Sequence, residues 1–146
     1  MTKNSSSVED YLKHIYNLQS VSGLASTGNL AEVLSVKPAS VTEMIKKLES
    51  QNYLINKPYM GFRLTKKGEK AALKLVRKHR IIETFLFSFL NYPLEKIHNE
   101  AEVLEHSVSE EFIERLDELM KFPAFDPHNE PIPDSGGYIK NTGYEI

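Results

Sequence analysis

The chain has 146 residues, 40% hydrophobic and 26% charged, a balance that suits a soluble globular protein of one medium domain or two small ones. It has no cysteine, which excludes disulfide frameworks, zinc ribbons and thiol redox chemistry. No apolar run approaches the roughly 18 residues that span a bilayer, and Met1–Ser7 lacks the apolar core of a signal peptide, so a reducing cytoplasm is the expected location.

The first helix is expected over Val8–Ser20, where Tyr11, Leu12, Ile15, Tyr16 and Leu18 recur at helical spacing after a serine-rich start that can supply a cap. After a break at Ser22–Gly23, Ser26 or Thr27 can cap a short helix through Leu30, Ala31, Val33 and Leu34. Pro38 then opens a third helix to about Gln51, with Val41, Met44, Ile45 and Leu48 facing inward. Two extended pieces, Tyr53–Asn56 and Phe62–Leu64, flank Lys57–Pro58–Tyr59–Met60–Gly61 and form a hairpin-like wing. Thr65 opens a near capping box, its acid Glu69 one position late, before a long helix to about Leu90. Pro93 starts a short helix through His106, and Ser107–Ser109 caps another through Met120. From Phe122 onward prolines gather beside Gly136 and Gly137, which marks an irregular and mobile tail.

The net charge of −2 hides an asymmetry. Residues 1–80 carry 14 Lys+Arg against 6 Asp+Glu, a balance of +8, while residues 81–146 carry 4 against 14, a balance of −10. A basic half suits a polyanion and an acidic half suits cations. Three helices followed by a two-stranded wing form the winged helix-turn-helix pattern. The outer face of the third helix offers Lys37, Ala39, Ser40, Thr42, Glu43, Lys46 and Lys47, small and polar groups that fit a major groove, and Lys57 and Arg63 sit at the wing's edges. A solvated basic face is the bland alternative; the wing, the charge balance and the small-residue face favour DNA.

In the acidic half, His79 and Glu83 are four apart, as are His98 and Glu102, and Glu102, Glu105 and His106 stand at i, i+3 and i+4. Those separations share a helix face and gather the carboxylates and imidazoles that a divalent cation needs. Glu100 falls on another face. A single surface Glu or His is usually only solvated, so the weight lies on the combination.

Several segments carry a further signal: Val8–Glu9–Asp10–Tyr11–Leu12–Lys13–His14–Ile15–Tyr16, Pro38–Ala39–Ser40–Val41–Thr42, Leu64–Thr65–Lys66–Lys67–Gly68, Arg77–Lys78–His79–Arg80, Lys96–Ile97–His98–Asn99–Glu100–Ala101–Glu102 and Leu104–Glu105–His106. In this order they resemble the diphtheria toxin repressor / manganese transport regulator (DtxR/MntR) family of metal-dependent transcriptional repressors. The resemblance implies a mainly α fold, an N-terminal winged helix-turn-helix followed by an α-helical metal-binding and dimerisation domain. It implies domains over 1–70 and 71–122, and a proline-rich tail over 123–146 that is like the connector to a third domain. It also implies a principal metal site of Asp10, Glu102, Glu105 and His106, and a second of His79, Glu83 and His98, joined by Asp126 or His128. Acids at 10 and 102 are like the manganese branch, where the iron branch carries methionine and cysteine. Lys13 stands where manganese regulators carry a further glutamate, and a cation there cannot ligate and repels a nearby second metal.

The implied function is a Mn²⁺- or Fe²⁺-dependent repressor of metal-uptake genes, with up to two metal ions per subunit, binding a palindromic operator as a homodimer. Ile81, Ile82, Phe85, Leu86 and Phe89 are the candidate dimer core, with packing inside the subunit an equal alternative for any single one. No membrane association, no small organic substrate and no enzymatic activity are expected. The competing reading is a winged-helix regulator of a non-metal ligand. A metallohydrolase would need a substrate cleft and a positioned base, for which the sequence shows no sign.

Overall fold

The computed structural model describes residues 6–139, which fall into two compact units, Met1–Leu73 and Lys74–Ile146. The elements in chain order are α1 (Ser6–Ser22), α2 (Thr27–Leu34), α3 (Pro38–Ser50), β1 (Leu54–Lys57), β2 (Gly61–Leu64), α4 (Lys66–Ser88), α5 (Leu94–Leu104) and α6 (Glu110–Leu119). The division between the units falls within α4. The serine cap expected ahead of α1 and the last seven residues of the tail lie outside the described residues. No helix among the described residues is long and apolar enough to cross a membrane.

In the first unit, α1 buries Val8, Tyr11, Leu12 and Ile15, a stripe at i, i+3, i+4 and i+7. These meet Leu30 and Ala31 of α2 and Val41, Ile45 and Leu48 of α3. Each such side chain taken out of water stabilises the unit by roughly 1.5–3 kcal/mol. Ser26 caps α2 by accepting from the Asn29 N–H, and Ser35 ends it in the left-handed conformation at φ 55. Pro38 opens α3, where its missing N–H costs nothing. The wing strands pair antiparallel, with Leu54 opposite Leu64 and Lys57 opposite Gly61; β1 lies one residue later than the sequence expectation, and β2 starts one residue earlier and ends at Leu64 as expected.

Thr65 Oγ1 accepts from the Gly68 N–H to start α4. The late acid does not complete a capping box. Glu69 instead accepts from the Gln19 side chain, which also accepts from the Leu64 N–H and so ties α1 to the wing. Gly68 is obligatory, because a Cβ there would lie 2.0 Å from the Tyr53 carbonyl oxygen.

In the second unit, Ile81, Ile82 and Leu86 of α4 pack with Ile97 and Ala101 of α5 and Ile113 and Leu116 of α6. Their full burial corrects their placement in a dimer core. They are spent inside their own unit, whereas Phe85 is half-buried and Phe89 exposed. Ser109 caps α6 by accepting from the Phe112 N–H. Residues 122–139 are irregular, as the prolines require, but anchored: Arg80 donates to the Pro131 carbonyl and Arg77 to the Pro133 carbonyl, while Arg77 also pairs with Asp117 at 3.2 Å.

Candidate metal centre and nucleic-acid face

His79 is the hub of the second unit's polar chemistry. It lies on α4 in a buried position, with Nδ1 2.5 Å from Glu105 Oε1 and Nε2 3.1 Å from Glu83 Oε2. Helical spacing delivers the Glu83 contact, one turn along the same face. Glu105 comes from the C-terminal end of α5 and is fully buried, with its other oxygen 3.5 Å from His106 Nε2.

Glu83 gathers three imidazoles. Besides His79, its Oε2 lies 3.6 Å from His98 Nδ1, and its Oε1 lies 3.5 Å from His128 Nδ1. His98 is exposed, meets the His79 ring edge-on with centroids 4.9 Å apart, and reaches Glu102 at 3.4 Å through Nε2. Asp126 arrives from the irregular segment. Its Oδ1 accepts from the N–H groups of His128 and Glu130, which folds that stretch into a tight turn.

The ligand atoms of His79, Glu83 and His98 lie within 4.8 Å of one another, as do those of His79, Glu102 and Glu105 and those of Glu83, Asp126 and His128. Every second-unit residue singled out for metal chemistry therefore falls in one connected cluster. Glu100 stays out of it and accepts from the Tyr92 hydroxyl. Arg77 and Arg80 are the residues sequence reasoning missed. By holding the Pro131 and Pro133 carbonyls they seat the segment that carries Asp126 and His128. Both arginines belong to the Arg77–Lys78–His79–Arg80 stretch, but nothing in its spacing indicates carbonyl partners more than fifty residues away.

The electrostatics match a site built for a cation. Burial works to lower the His79 pKa, but the facing Glu105 and Glu83 carboxylates override it and raise it to about 9. Burial likewise works to raise the Glu83 pKa, and the facing His79, with His128 and His98 beyond, pulls it below the usual range instead. For Asp126 burial prevails and its pKa is raised. Among the described residues, Asp126 Oδ2 is buried without a hydrogen bond, and buried Glu83 Oε2 has only the ion-pair approach of the His79 and His98 imidazoles, at 3.1 and 3.6 Å. Buried carboxylate oxygens without donors are costly unless a cation takes them. A chain with no cysteine offers carboxylate and imidazole donors, a set suited to a hard or borderline divalent ion. The residues fit a metal.

In the first unit, Lys37, Ala39, Ser40, Thr42, Glu43, Lys46 and Lys47 are all exposed, while Val41, Ile45 and Leu48 face the core. The Thr42 hydroxyl donates back to the Pro38 carbonyl, leaving its lone pairs outward. Lys57 and Arg63 are exposed on the wing. Asp10 is half-buried on α1, and Lys13, one turn on, is buried.

A winged helix-turn-helix joined to a helical unit with such a donor cluster defines a class, the DNA-binding regulator with a metal-binding domain. Comparison with known proteins gives the family. Residues 3–62 match the iron dependent repressor N-terminal DNA binding domain, and residues 65–134 match the iron dependent repressor metal binding and dimerisation domain. The HTH-type transcriptional regulator MntR of Bacillus subtilis (strain 168) is 40% identical over 116 residues, covering 80% of this chain and 81% of that one. Among solved structures, the manganese regulator SloR is 45% identical with a TM-score of 0.80, covering 96% of this chain and 64% of that one. The T. acidophilum IdeR structure is 33% identical with a TM-score of 0.84, again covering 96% and 64%. The chain thus spans a little under two thirds of the length of these two structures. It belongs to the DtxR/MntR family of metal-dependent transcriptional repressors.

Proposed function

We propose that the chain is a metal-activated repressor whose homodimer binds a palindromic operator of metal-uptake genes, with Mn²⁺ as the effector and Fe²⁺ as the competing ion. The observation that carries the reading is the buried cluster on His79 and Glu83, in which one oxygen each of Glu83 and Asp126 is buried without a hydrogen bond. Oxygen and imidazole donors, together with similarity to regulators named for manganese, favour Mn²⁺.

In this reading Glu102, Glu105 and His106, with Asp10 of α1, hold the principal metal, and His79, Glu83 and His98, with Asp126 and His128, hold the second. When bound, a divalent cation supplies the positive charge that these acids lack. His79 carries a proton in its place in the metal-free protein, paired to Glu105 and Glu83. Asp10 stands on the helix whose buried stripe supports α3, so a ligand there ties metal binding to the unit that presents the recognition helix. Metal then favours the DNA-competent arrangement, and DNA tightens metal by the same factor. On α3, Ser40, Thr42 and Glu43 face base edges while Lys46 and Lys47 hold the backbone, aided by Lys37, Ala39, Lys57 and Arg63. The exposed Phe87, Phe89, Leu90 and Leu94, with half-buried Phe85 stacked on Phe89, form the surface for a second copy.

Asp10→Ala and His106→Ala should each abolish Mn²⁺-dependent operator binding in an electrophoretic shift assay while circular dichroism stays unchanged. A wild-type metal response in both variants would sink the principal-site assignment.

A further inference from the structure

The buried stripe of α1 has one polar member. Val8, Tyr11, Leu12 and Ile15 pack into the first unit's core, and Gln19, one turn past Ile15, falls on the same face. An apolar residue would continue the stripe there. Gln19 instead uses both ends of its amide. Its Oε1 accepts from the Leu64 N–H of β2 at 2.7 Å, and its Nε2 donates to Glu69 Oε2 in the first turn of α4 at 2.9 Å. The Leu64 N–H needs such a partner. Phe62 and Leu64 turn the same way along β2, and the Phe62 N–H already meets the Ala25 carbonyl on the edge away from β1. Gln19 fills the next place on that edge as a strand residue would.

The apolar part of the stripe holds α1 down by a force that has no direction. Two hydrogen bonds from one planar amide have both direction and length, so they fix where α1 lies along β2 and α4. The receiving end is itself rigid. The Thr65 hydroxyl donates to the Asn52 carbonyl and accepts from the Gly68 N–H, the Thr65 N–H meets the Tyr53 carbonyl, and Lys67 reaches the Gln51 carbonyl. The start of α4 and the wing are thereby one body. Asp10 stands nine residues before Gln19 on the same helix, roughly 14 Å along its axis. A satisfied polar group in an apolar stripe gives up burial for a single defined arrangement, and such departures from pattern gather where function demands them.

We infer that Gln19 is the positioning residue that passes the setting of α1 to the wing and to the start of α4, and so carries the effect of metal to operator binding. The inference rests on the metal-activated reading above, in which Asp10 is a ligand. In this role Gln19 binds neither metal nor DNA; it sets how strongly the one is felt by the other.

The test uses the full chain and a duplex selected from a randomised pool by the Mn²⁺-loaded wild type. The readout is the ratio of duplex affinities with and without saturating Mn²⁺, by fluorescence anisotropy, beside calorimetric Mn²⁺ affinity without DNA. Gln19→Leu continues the apolar stripe, so circular dichroism should show the fold retained, while amide exchange at Leu64 should quicken in the metal-free chain. Its affinity ratio should fall by roughly 2- to 30-fold, with Mn²⁺ affinity without DNA unchanged. Gln19→Glu sets two carboxylates against each other and should lower the ratio as far. Glu69→Gln alone should leave it near the wild-type value, because the new amide oxygen still accepts from Gln19. Gln19→Glu combined with Glu69→Gln reverses the direction of that bond and should restore the ratio. A wild-type ratio in both Gln19→Leu and Gln19→Glu would overturn the inference, as would a double variant no better than Gln19→Glu. A loss of Mn²⁺ affinity without DNA in Gln19→Leu would do the same. A wild-type chain whose duplex affinity ignores Mn²⁺ overturns the metal-activated reading itself, and the inference with it.

Discussion

The two units place their functional groups in opposite ways. In the first, a plain apolar core carries the fold and the chemistry stands outside it, on the exposed face of α3 and on the wing. In the second, His79, Glu83, Glu105 and Asp126 are themselves buried, so the chemistry lies inside the packing. An exposed face can contact a partner without altering the unit that bears it. A buried, undercompensated cluster must respond structurally to whatever neutralises it. The first arrangement suits a reader and the second a sensor.

Substitutions that act on one unit alone sharpen that contrast. The largest effect is expected from Glu105→Ala, which removes a buried carboxylate that faces both His79 and His106. Mn²⁺ affinity by calorimetry should fall by more than the 10–100-fold typical of an outer-shell partner, about 100-fold or beyond, while metal-free nonspecific DNA binding is unchanged.

Acidity gives a second handle. A raised folded-state pKa means that the proton on His79 stabilises the metal-free protein fully below 6.5, and that this contribution fades as pH rises through about 9. The same proton must leave before a His79 nitrogen can ligate. Mn²⁺ affinity should therefore rise about tenfold per pH unit between these values, with one proton released per ion, measurable by calorimetry in buffers of different ionisation enthalpy. A flat profile would remove His79 from the ligand set.

Phe89→Glu puts a charge on the exposed apolar patch and should weaken self-association at least about tenfold by sedimentation, with the second unit's fold retained. The smallest effect is expected from Lys46→Ala. It should lower the salt slope of operator binding by about one and leave Mn²⁺ affinity untouched. A shift in metal affinity there would blur the division between reader and sensor.

Much of this was legible because its causes are local. Ser26, Pro38 and Ser109 announce helix starts through hydrogen bonds and φ preferences within a few residues. The face shared by His79 and Glu83 follows from helical repeat alone. What joins Asp126 and His128 to Glu83 is not local, since it depends on Arg77 and Arg80 holding carbonyls more than fifty positions away. Nor could periodicity separate Ile81, Ile82 and Leu86 from Phe89, because a stripe that packs inside its own unit and one that awaits a second copy repeat at the same spacing. The tip of the wing was legible only as a loop, since neither φ nor exposure is written in Pro58–Tyr59–Met60.

The central claim is that metal and operator are linked through this chain. The most direct measurement is Mn²⁺ affinity with and without saturating operator duplex, paired with operator affinity with and without saturating Mn²⁺. The two ratios should be equal and lie at roughly 5- to 150-fold. Operator binding of equal strength with and without Mn²⁺, with Mn²⁺ affinity indifferent to DNA, would contradict it.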